Sequence, residues 1–167
     1  RSADYADELD ALLHQVVADQ SQADVPIGSL LSGGIDSTTV TAILQSISNT
    51  PVRTFTVGFD DSDYDESKFA ADVANHLGTD HTELRLSVDD VLNLIPEMPR
   101  IYDEPFADSS QIPTAAICKL SSEKVKVVVS GDGGDEVFGG YNRYLWGPRI
   151  NGFRRLFPNL LLGFCKD

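Results

Sequence analysis

The sequence predicts an α/β fold with an open parallel sheet that carries helices on both faces. Three observations lead to this fold class. Apolar residues switch repeatedly along the chain between the helical period and the strand period. The predicted strands are separated by helical segments, as in the strand–helix–strand units of parallel sheets. A glycine-rich turn follows the first predicted strand and another follows the last, and ligands bind beyond the carboxyl ends of such strands.

The segment 1–51 predicts a helix, a strand and a second helix. The first helix has an apolar stripe at helical spacing, formed by Leu9, Leu12, Leu13, Val16 and Val17. The first strand is predicted over Val25–Leu31, where Pro26 is tolerated because it lies at the strand start. The second helix ends at Asn49-Thr50-Pro51. Its apolar stripe consists of Val40, Ile43, Leu44 and Ile47.

Two strands flank a third helix in the segment 52–86. β-Branched and aromatic residues predict a strand over Val52–Phe59. The third helix is predicted to end before Gly78, a residue type that is common just past a helix. Its stripe consists of Phe69, Ala70, Val73, Ala74 and Leu77. Alternating polarity predicts the third strand over His81–Leu86.

Two further helices and a strand are predicted before the second glycine turn. One helix covers Val88–Ile95, with Ser87 as its N-cap and Pro96 near its end. The next helix has a stripe formed by Ile112, Ala115, Ala116 and Leu120. The apolar run Val125–Val129 predicts a strand that is buried on both faces.

Composition excludes several classes of function. The 167 residues are 41% hydrophobic, which is enough for a packed core. The net charge of −13 argues against a nucleic-acid partner. No apolar run reaches the ~18 residues of a membrane span, and the start of the chain lacks a signal-peptide pattern. Cys118 and Cys165 make no disulfide framework, so we expect reduced thiols in a cytoplasmic protein.

The first glycine turn, Leu31–Ser37, has the composition of an anion-binding loop. Its adjacent glycines allow successive N–H groups to approach an anion, and the helix that follows directs its positive dipole to the same point. Asp36 places a carboxylate beside that point, which favours a bridging Mg²⁺. The alternative is a tight strand-to-helix turn in which Asp36 caps the helix. The candidate binding residues are Ser32, Gly33, Gly34, Asp36 and Ser37.

The second glycine turn, Ser130–Glu136, combines glycines with carboxylates. Acids this close together repel one another unless a cation lies between them. Asp135 is therefore a second candidate metal ligand, and Asp132 is a candidate acid–base group near the reacting atoms. Solvated acids in an ordinary turn are the alternative.

Together the two turns resemble a known family. Leu31–Ser37 is similar to the PP-loop of the ATP pyrophosphatase superfamily. Its pairing with Val128–Tyr141 resembles the synthetase domain of glutamine-dependent asparagine synthetases, and the similarity extends from about residue 5 to residue 145. Further agreement lies in 24–28, 54–59 and 74–79. The implied fold is the adenine nucleotide alpha hydrolase-like (PP-loop) fold.

The resemblance implies a role for each matched residue. Leu31 and Val57 would contact the adenosine of ATP through backbone and apolar surface, and Ser130 and Gly131 would also touch the nucleotide. The first turn would hold the pyrophosphate and its Mg²⁺, with Asp135 as a further metal ligand. ATP would activate aspartate, or a similar carboxylate, as an acyl-adenylate with release of pyrophosphate. Ammonia from a glutaminase domain of the same full-length chain would then form the amide.

Two departures from the family pattern affect these expectations. Some members have Glu where this chain has the shorter Asp132, so its catalytic role requires a closer turn. The family's synthetase domain is longer and has a pyrophosphate-binding lysine beyond the part matched here. We therefore expect a partial ATP-binding synthetase domain over 1–145, the start of a helical extension over 146–167, no glutaminase domain in the chain, and no activity of the isolated fragment.

Other functions remain open at the level of sequence. A PP-loop ligase could act on another carboxylate, as in a β-lactam synthetase-like cyclase or a sugar amidotransferase. A nucleotide-binding module without catalysis is an alternative from a different class, which the acids Asp36, Asp132 and Asp135 argue against. A homo-oligomer is among the assemblies that the sequence allows.

Overall fold

The computed structural model describes residues 2–59, 65–104 and 107–156. The chain divides into two compact units, 1–131 and 132–167. The helices and strands of the first unit are α1 (Ser2–Gln20), β1 (Ile27–Leu30), α2 (Ile35–Ile47), β2 (Arg53–Phe59), α3 (Ser67–Leu77), β3 (Asp80–Leu86), α4 (Val88–Leu94), a 3₁₀ turn (Ile95–Glu97), α5 (Met98–Ile101), α6 (Gln111–Ser122) and β4 (Val127–Val129). The second unit contains α7 (Gly134–Phe138) and α8 (Asn142–Leu156).

Each helix and strand predicted before the second glycine turn is present, with some changes at the ends. Two predicted helix ends are confirmed. Gly78 follows α3 with a left-handed φ of 70°, and its N–H donates to the carbonyl of Ala74. Ser87 caps the start of α4 through a capping box with Asp90. Helical structure continues through Pro96, because this residue lies in the first positions of the 3₁₀ turn, where its missing N–H costs no hydrogen bond.

All strand pairs are parallel, in the order β3-β2-β1-β4. β1 therefore lies between β2 and β4, although β4 comes last in the chain. Ser29 of β1 pairs with Val129 of β4. The carboxyl ends of these two strands are consequently neighbours, and the edge of the sheet that they form is called the carboxyl edge below.

Helices cover both faces of the sheet, as predicted. On one face, β1 and β4 pack against α1 and α2, and the buried cluster consists of Val17, Ile43, Leu44, Val52 and Val129. On the other face, Phe55 of β2 is fully buried with Ile117 of α6 and with Val125. Because side chains alternate along a strand, β1 contributes residues to both faces of the sheet. Ile27 packs in the first cluster, and Leu30, an odd number of positions further along, packs in the second.

The prediction that the last strand is buried on both faces is wrong for Val127, whose side chain is 38% exposed. β4 is the outermost strand on its side of the described sheet, and an outermost strand is covered less than a central one. Val129, at the carboxyl edge, is buried.

The described helices include none that is both long enough and apolar enough to cross a lipid bilayer. The predicted boundary between a domain over 1–145 and a helical extension over 146–167 stays a prediction. The last part of that extension, 157–167, lies outside the described residues.

Candidate functional site

The two glycine turns begin side by side at the carboxyl edge of the sheet. The first turn connects β1 to α2, and the second begins directly after β4, the strand that pairs with β1. Both turns therefore begin at the edge of the sheet beyond which ligands bind in parallel α/β folds. Only the beginning of the second turn, Ser130 and Gly131, belongs to the sheet unit.

Gly33 is the position in the first turn where the backbone requires glycine. Its φ of 82° is left-handed, a conformation that a side chain disfavours. A Cβ at this position would lie 2.8 Å from the backbone nitrogen of Ala70 and 2.8 Å from the Cβ of Phe69. The turn is therefore packed directly against the start of α3, which fixes one of its sides.

Two serine hydroxyls close the first turn. The Oγ atoms of Ser32 and Ser37 lie 3.0 Å apart, and the Ser37 hydroxyl also accepts from the backbone N–H of Ser32 at 3.2 Å. The backbone N–H of Gly34 donates to the Ser32 hydroxyl at 3.3 Å. These bonds hold the turn in a defined shape.

The first turn of α2 has free donors. Gly34 is the N-cap residue, and no side chain of the described chain caps the helix. The N–H groups of Ile35, Asp36 and Ser37 precede the first intrahelical bond, which Thr38 donates to Gly34. They and the helix dipole form an environment that attracts an anion. The Asp36 carboxylate, in the same helical turn, has no hydrogen-bond or ion-pair partner among the described residues.

Gly131 brings the second turn onto the start of α2. A Cβ on Gly131 would lie 2.5 Å from the backbone nitrogen of Ser37 and 2.8 Å from the carbonyl carbon of Asp36. Any side chain here would displace the helix or the turn, since real Cβ atoms do not approach backbone so closely. Ser130, which precedes it, is half-buried. The structure thus brings Gly131 to the predicted phosphate loop.

The two residues predicted to contact adenosine lie on different faces of the sheet. Leu31 has a side chain that is 1% exposed and packs against Ala70 and Ala74 of α3, and its backbone N–H donates to the carbonyl of Phe55 at 2.9 Å. Val57 is half-buried and packs on the opposite face, with the Phe55 cluster. A contact of both side chains with one adenine ring is therefore not what this geometry favours.

The acids of the second turn belong to the second unit. Asp132 is exposed, and Asp135 lies in the first turn of α7, where its carboxylate occupies the space that a Cβ on Gly140 would need. Tyr141 donates from its hydroxyl to Glu136 at 2.7 Å, and this hydrogen bond holds the pKa of Glu136 below its usual value. Within the described ranges, no three His, Cys, Asp or Glu residues gather as a metal site.

Sequence reasoning missed a cluster of charges at the carboxyl ends of β2 and β3. The Arg85 guanidinium donates to the carbonyl of Phe59 at 2.9 Å and to Asp65 at 3.1 Å. It also donates to Glu83 at 2.8 Å. Arg85 therefore joins the two residues that flank segment 60–64. The signal available in the sequence was Arg85 itself, a basic residue in an otherwise acidic strand of alternating polarity.

An open cavity of about 530 Å³ lies at the opposite edge of the sheet, where the strands begin. Its charged lining residues are Arg53 and Asp80, which form an ion pair at 4.0 Å. It has no glycine turn and no helix N-terminus with free amides among its lining residues. We therefore place the candidate site at the carboxyl edge.

The fold and the two glycine turns define a protein of the α/β class with a glycine turn between a parallel strand and a helix. The chain belongs to the asparagine synthase family, whose family model matches residues 8–162. This membership confirms the resemblance predicted from the two turns.

Several asparagine synthetases are similar to this chain. A putative asparagine synthetase (glutamine-hydrolyzing) 2 from Methanocaldococcus jannaschii is 40% identical over 146 residues, which are 87% of this chain and 28% of that protein. Asparagine synthetase (glutamine-hydrolyzing) 1 of Bacillus subtilis is 35% identical over 81% of this chain and 21% of its own length. Asparagine synthetase B (glutamine-hydrolyzing) of Escherichia coli is 36% identical over 80% and 27%. The chain thus spans less than a third of each relative's length.

A solved structure confirms the fold class. The NH3-dependent NAD synthetase of Campylobacter jejuni, solved with nitrate, superposes with a TM-score of 0.55 over 81% of this chain and 60% of its own. Its sequence is 14% identical to this chain, so the likeness concerns the fold alone.

Proposed function

We propose that this chain carries the ATP-binding part of an asparagine synthetase, a carbon–nitrogen ligase that releases AMP and pyrophosphate. The observation that supports it most is the contact of Gly131 with the start of α2, which joins two glycine turns in a member of the asparagine synthase family. The substrate of the proposed reaction is aspartate, whose side-chain carboxylate is activated by ATP as an acyl-adenylate.

The chain's own residues have distinct parts in this proposal. The free N–H groups at the start of α2 and the hydroxyls of Ser32 and Ser37 bind the pyrophosphate portion of ATP. Adenosine binds beyond the strand ends, against the backbone of Leu31 and the half-buried Val57, and Ser130 and Gly131 complete the nucleotide site.

Mg²⁺ fits the donor set, because an unpaired carboxylate at the anion site is the type of oxygen ligand that this cation prefers. When bound, it would neutralise charge on the phosphates. Asp36 and Asp135 would hold it. Asp132 is the proposed catalytic residue, a proton acceptor or donor close to the activated carboxylate.

The remaining reactants follow from the family. Ammonia would come from glutamine, hydrolysed by a glutaminase domain of the full-length protein; the names of the relatives describe those proteins as glutamine-hydrolyzing. We place the reaction in the cytoplasm, where Cys118 and Cys165 would stay reduced. The oligomeric state, including a homo-oligomer, is open to a direct mass measurement on the full-length protein.

The test is exchange of radiolabelled pyrophosphate into ATP by the full-length natural protein, with a panel of carboxylic acids. Exchange that requires aspartate is the expected result, since only adenylation of that acid makes pyrophosphate release reversible. Exchange with another acid alone would assign the chain to a related ligase, of the β-lactam synthetase or sugar amidotransferase type. Binding of ATP without exchange for any acid would leave a non-catalytic nucleotide-binding module.

A further inference from the structure

A pair of buried hydroxyls connects the strands and the helix that carry the two glycine turns. Ser29 lies in β1 and Thr41 in α2, and neither side chain has exposed surface. Their oxygens are 2.8 Å apart. The Ser29 hydroxyl also donates to the carbonyl of Val129 in β4 at 3.4 Å. Since a hydroxyl has one proton, the chain of donors runs from Thr41 to Ser29 to Val129.

Stability alone does not account for these hydroxyls. The surrounding residues form an apolar cluster that includes Ile43, Leu44 and Val129. Replacing both members of a buried hydrogen-bonded pair by apolar groups of the same shape is often neutral or stabilising. The hydroxyl pair provides directionality that apolar contacts lack, because burial of apolar surface has no preferred geometry.

The position of α2 on the sheet determines how far apart the two glycine turns lie at the carboxyl edge. Thr41 is about one helical turn beyond Ser37, and Val129 is two residues before Gly131. Gly131 and the backbone of Ser37 are already at contact distance. A slide of α2 along β1 would therefore change the separation of the two turns directly, and sites of this kind require their groups within about 0.5 Å of the productive geometry.

We propose that Ser29 and Thr41 are positioning residues, which set the separation between the two glycine turns and hence the alignment of the pyrophosphate with the reacting carboxylate. The kinetic part of this inference rests on the proposed function. The structural part does not, because it concerns only the contact between Gly131 and Ser37 within the chain.

The test compares the double variant Ser29→Ala/Thr41→Val with the wild type in the full-length protein. We expect kcat for pyrophosphate exchange to fall by roughly tenfold or more, as misplacement of reacting groups produces, while KM for ATP changes by less than about twofold. The temperature of unfolding should stay within a few degrees of the wild-type value, because the pair is replaced by apolar groups. A stable double variant with wild-type kcat would overturn the proposal.

Two further variants separate positioning from general damage. Thr54→Val removes another fully buried hydroxyl, which bonds Thr79 and His81 away from the turns, and should leave kcat unchanged. Thr41→Ser keeps the hydroxyl and should retain kcat, whereas the single variant Thr41→Val removes it and should lower kcat. If Thr54→Val lowered kcat as much as the double variant, or if Thr41→Ser failed like Thr41→Val, the positioning role would be wrong. This second comparison also decides the matter if the double variant does not fold.

A structural readout distinguishes failure of this inference from failure of the proposed function. The nuclear Overhauser effect between an α-proton of Gly131 and the amide proton of Ser37 reports their contact directly, with or without enzymatic activity. It should be strong in the wild type and in Thr41→Ser, and weaker in the double variant. An unchanged signal in the double variant would contradict the inference even if the protein proved to be an asparagine synthetase.

Discussion

The two glycine turns differ in how completely the chain builds them. The first turn is closed by its own serines, packed on α3 through Gly33 and followed by a helix of 13 residues, all within the sheet unit. The second turn places only Ser130 and Gly131 in that unit, and its acids belong to the unit that begins at Asp132. The turn proposed to bind the anion is thus built within one short segment, whereas the proposed acidic residues Asp132 and Asp135 belong to another unit.

Gly131→Ala should produce the largest effect, since it tests a contact that joins the turns inside the sheet unit. The added Cβ would meet the backbone of Ser37 at 2.5 Å, and overpacking of this kind costs about 1–3 kcal/mol. We expect pyrophosphate exchange to fall by about a hundredfold or more, because the start of α2 must shift. Steady-state exchange and thermal unfolding measure the two effects.

Gly147→Ala is the matched control, because a Cβ there meets nothing within 4 Å. It should leave exchange unchanged and should not destabilise the protein. Wild-type exchange in Gly131→Ala would mean that the close approach of the two turns has no part in the function.

Asp36→Ala should have the next largest effect, confined to the first turn. Loss of a carboxylate ligand should weaken Mg·ATP binding by at least about tenfold, which is ~1.4 kcal/mol, while ATP without the cation binds no worse. Asp72→Ala removes the same charge from an exposed position on α3 and serves as the control in a calorimetric titration. Unchanged Mg·ATP affinity in Asp36→Ala would remove Asp36 from the metal site.

Tyr141→Phe should have the smallest effect, confined to the second unit. The hydrogen bond from Tyr141 holds the pKa of Glu136 low, so the variant should raise that pKa toward its ordinary value. A carboxyl with a lowered folded-state pKa contributes stability that is present above its unfolded pKa and is lost as the pH falls through the folded value. The variant should therefore reduce the loss of stability on acidification.

A titration of the glutamate side-chain carbons by NMR measures this pKa, with Arg143→Gln as a comparison. The Arg143 guanidinium lies 4.2 Å from the centre of the Tyr141 ring and makes the smaller contribution to the pKa of Glu136. A larger shift in Arg143→Gln than in Tyr141→Phe would contradict the assigned cause.

Local sequence patterns predicted the elements and both turns, because periodicity, capping residues and glycines act over a few residues. Ser87 and Gly78 have the predicted positions at helix ends for that reason. The position of β4 beside β1 was not available from such patterns, since pairing across 100 residues depends on the whole core. The same limit explains why the exposure of Val127 was missed.

The candidate site was predictable in its composition and less so in its geometry. Two glycine turns after strands indicated one edge of the sheet, and Gly131 does contact the first turn of α2. The hydroxyl pair of Ser29 and Thr41 could not be predicted from the sequence, because Ser29 is one polar residue in an apolar strand and its partner is 12 positions away. The burial of the Leu31 side chain likewise depends on where α3 packs.

We propose that the first turn, at the carboxyl edge, binds the pyrophosphate portion of ATP. Titration of Mg·pyrophosphate into protein with isotope-labelled serine and glycine, followed by amide NMR, tests it most directly. We predict saturable shifts of the amides of Ser32, Gly33, Gly34, Ser37 and Gly131. Shifts confined to residues at the opposite edge, such as Ser48 beside the open cavity, with no change in the first turn, would contradict the claim.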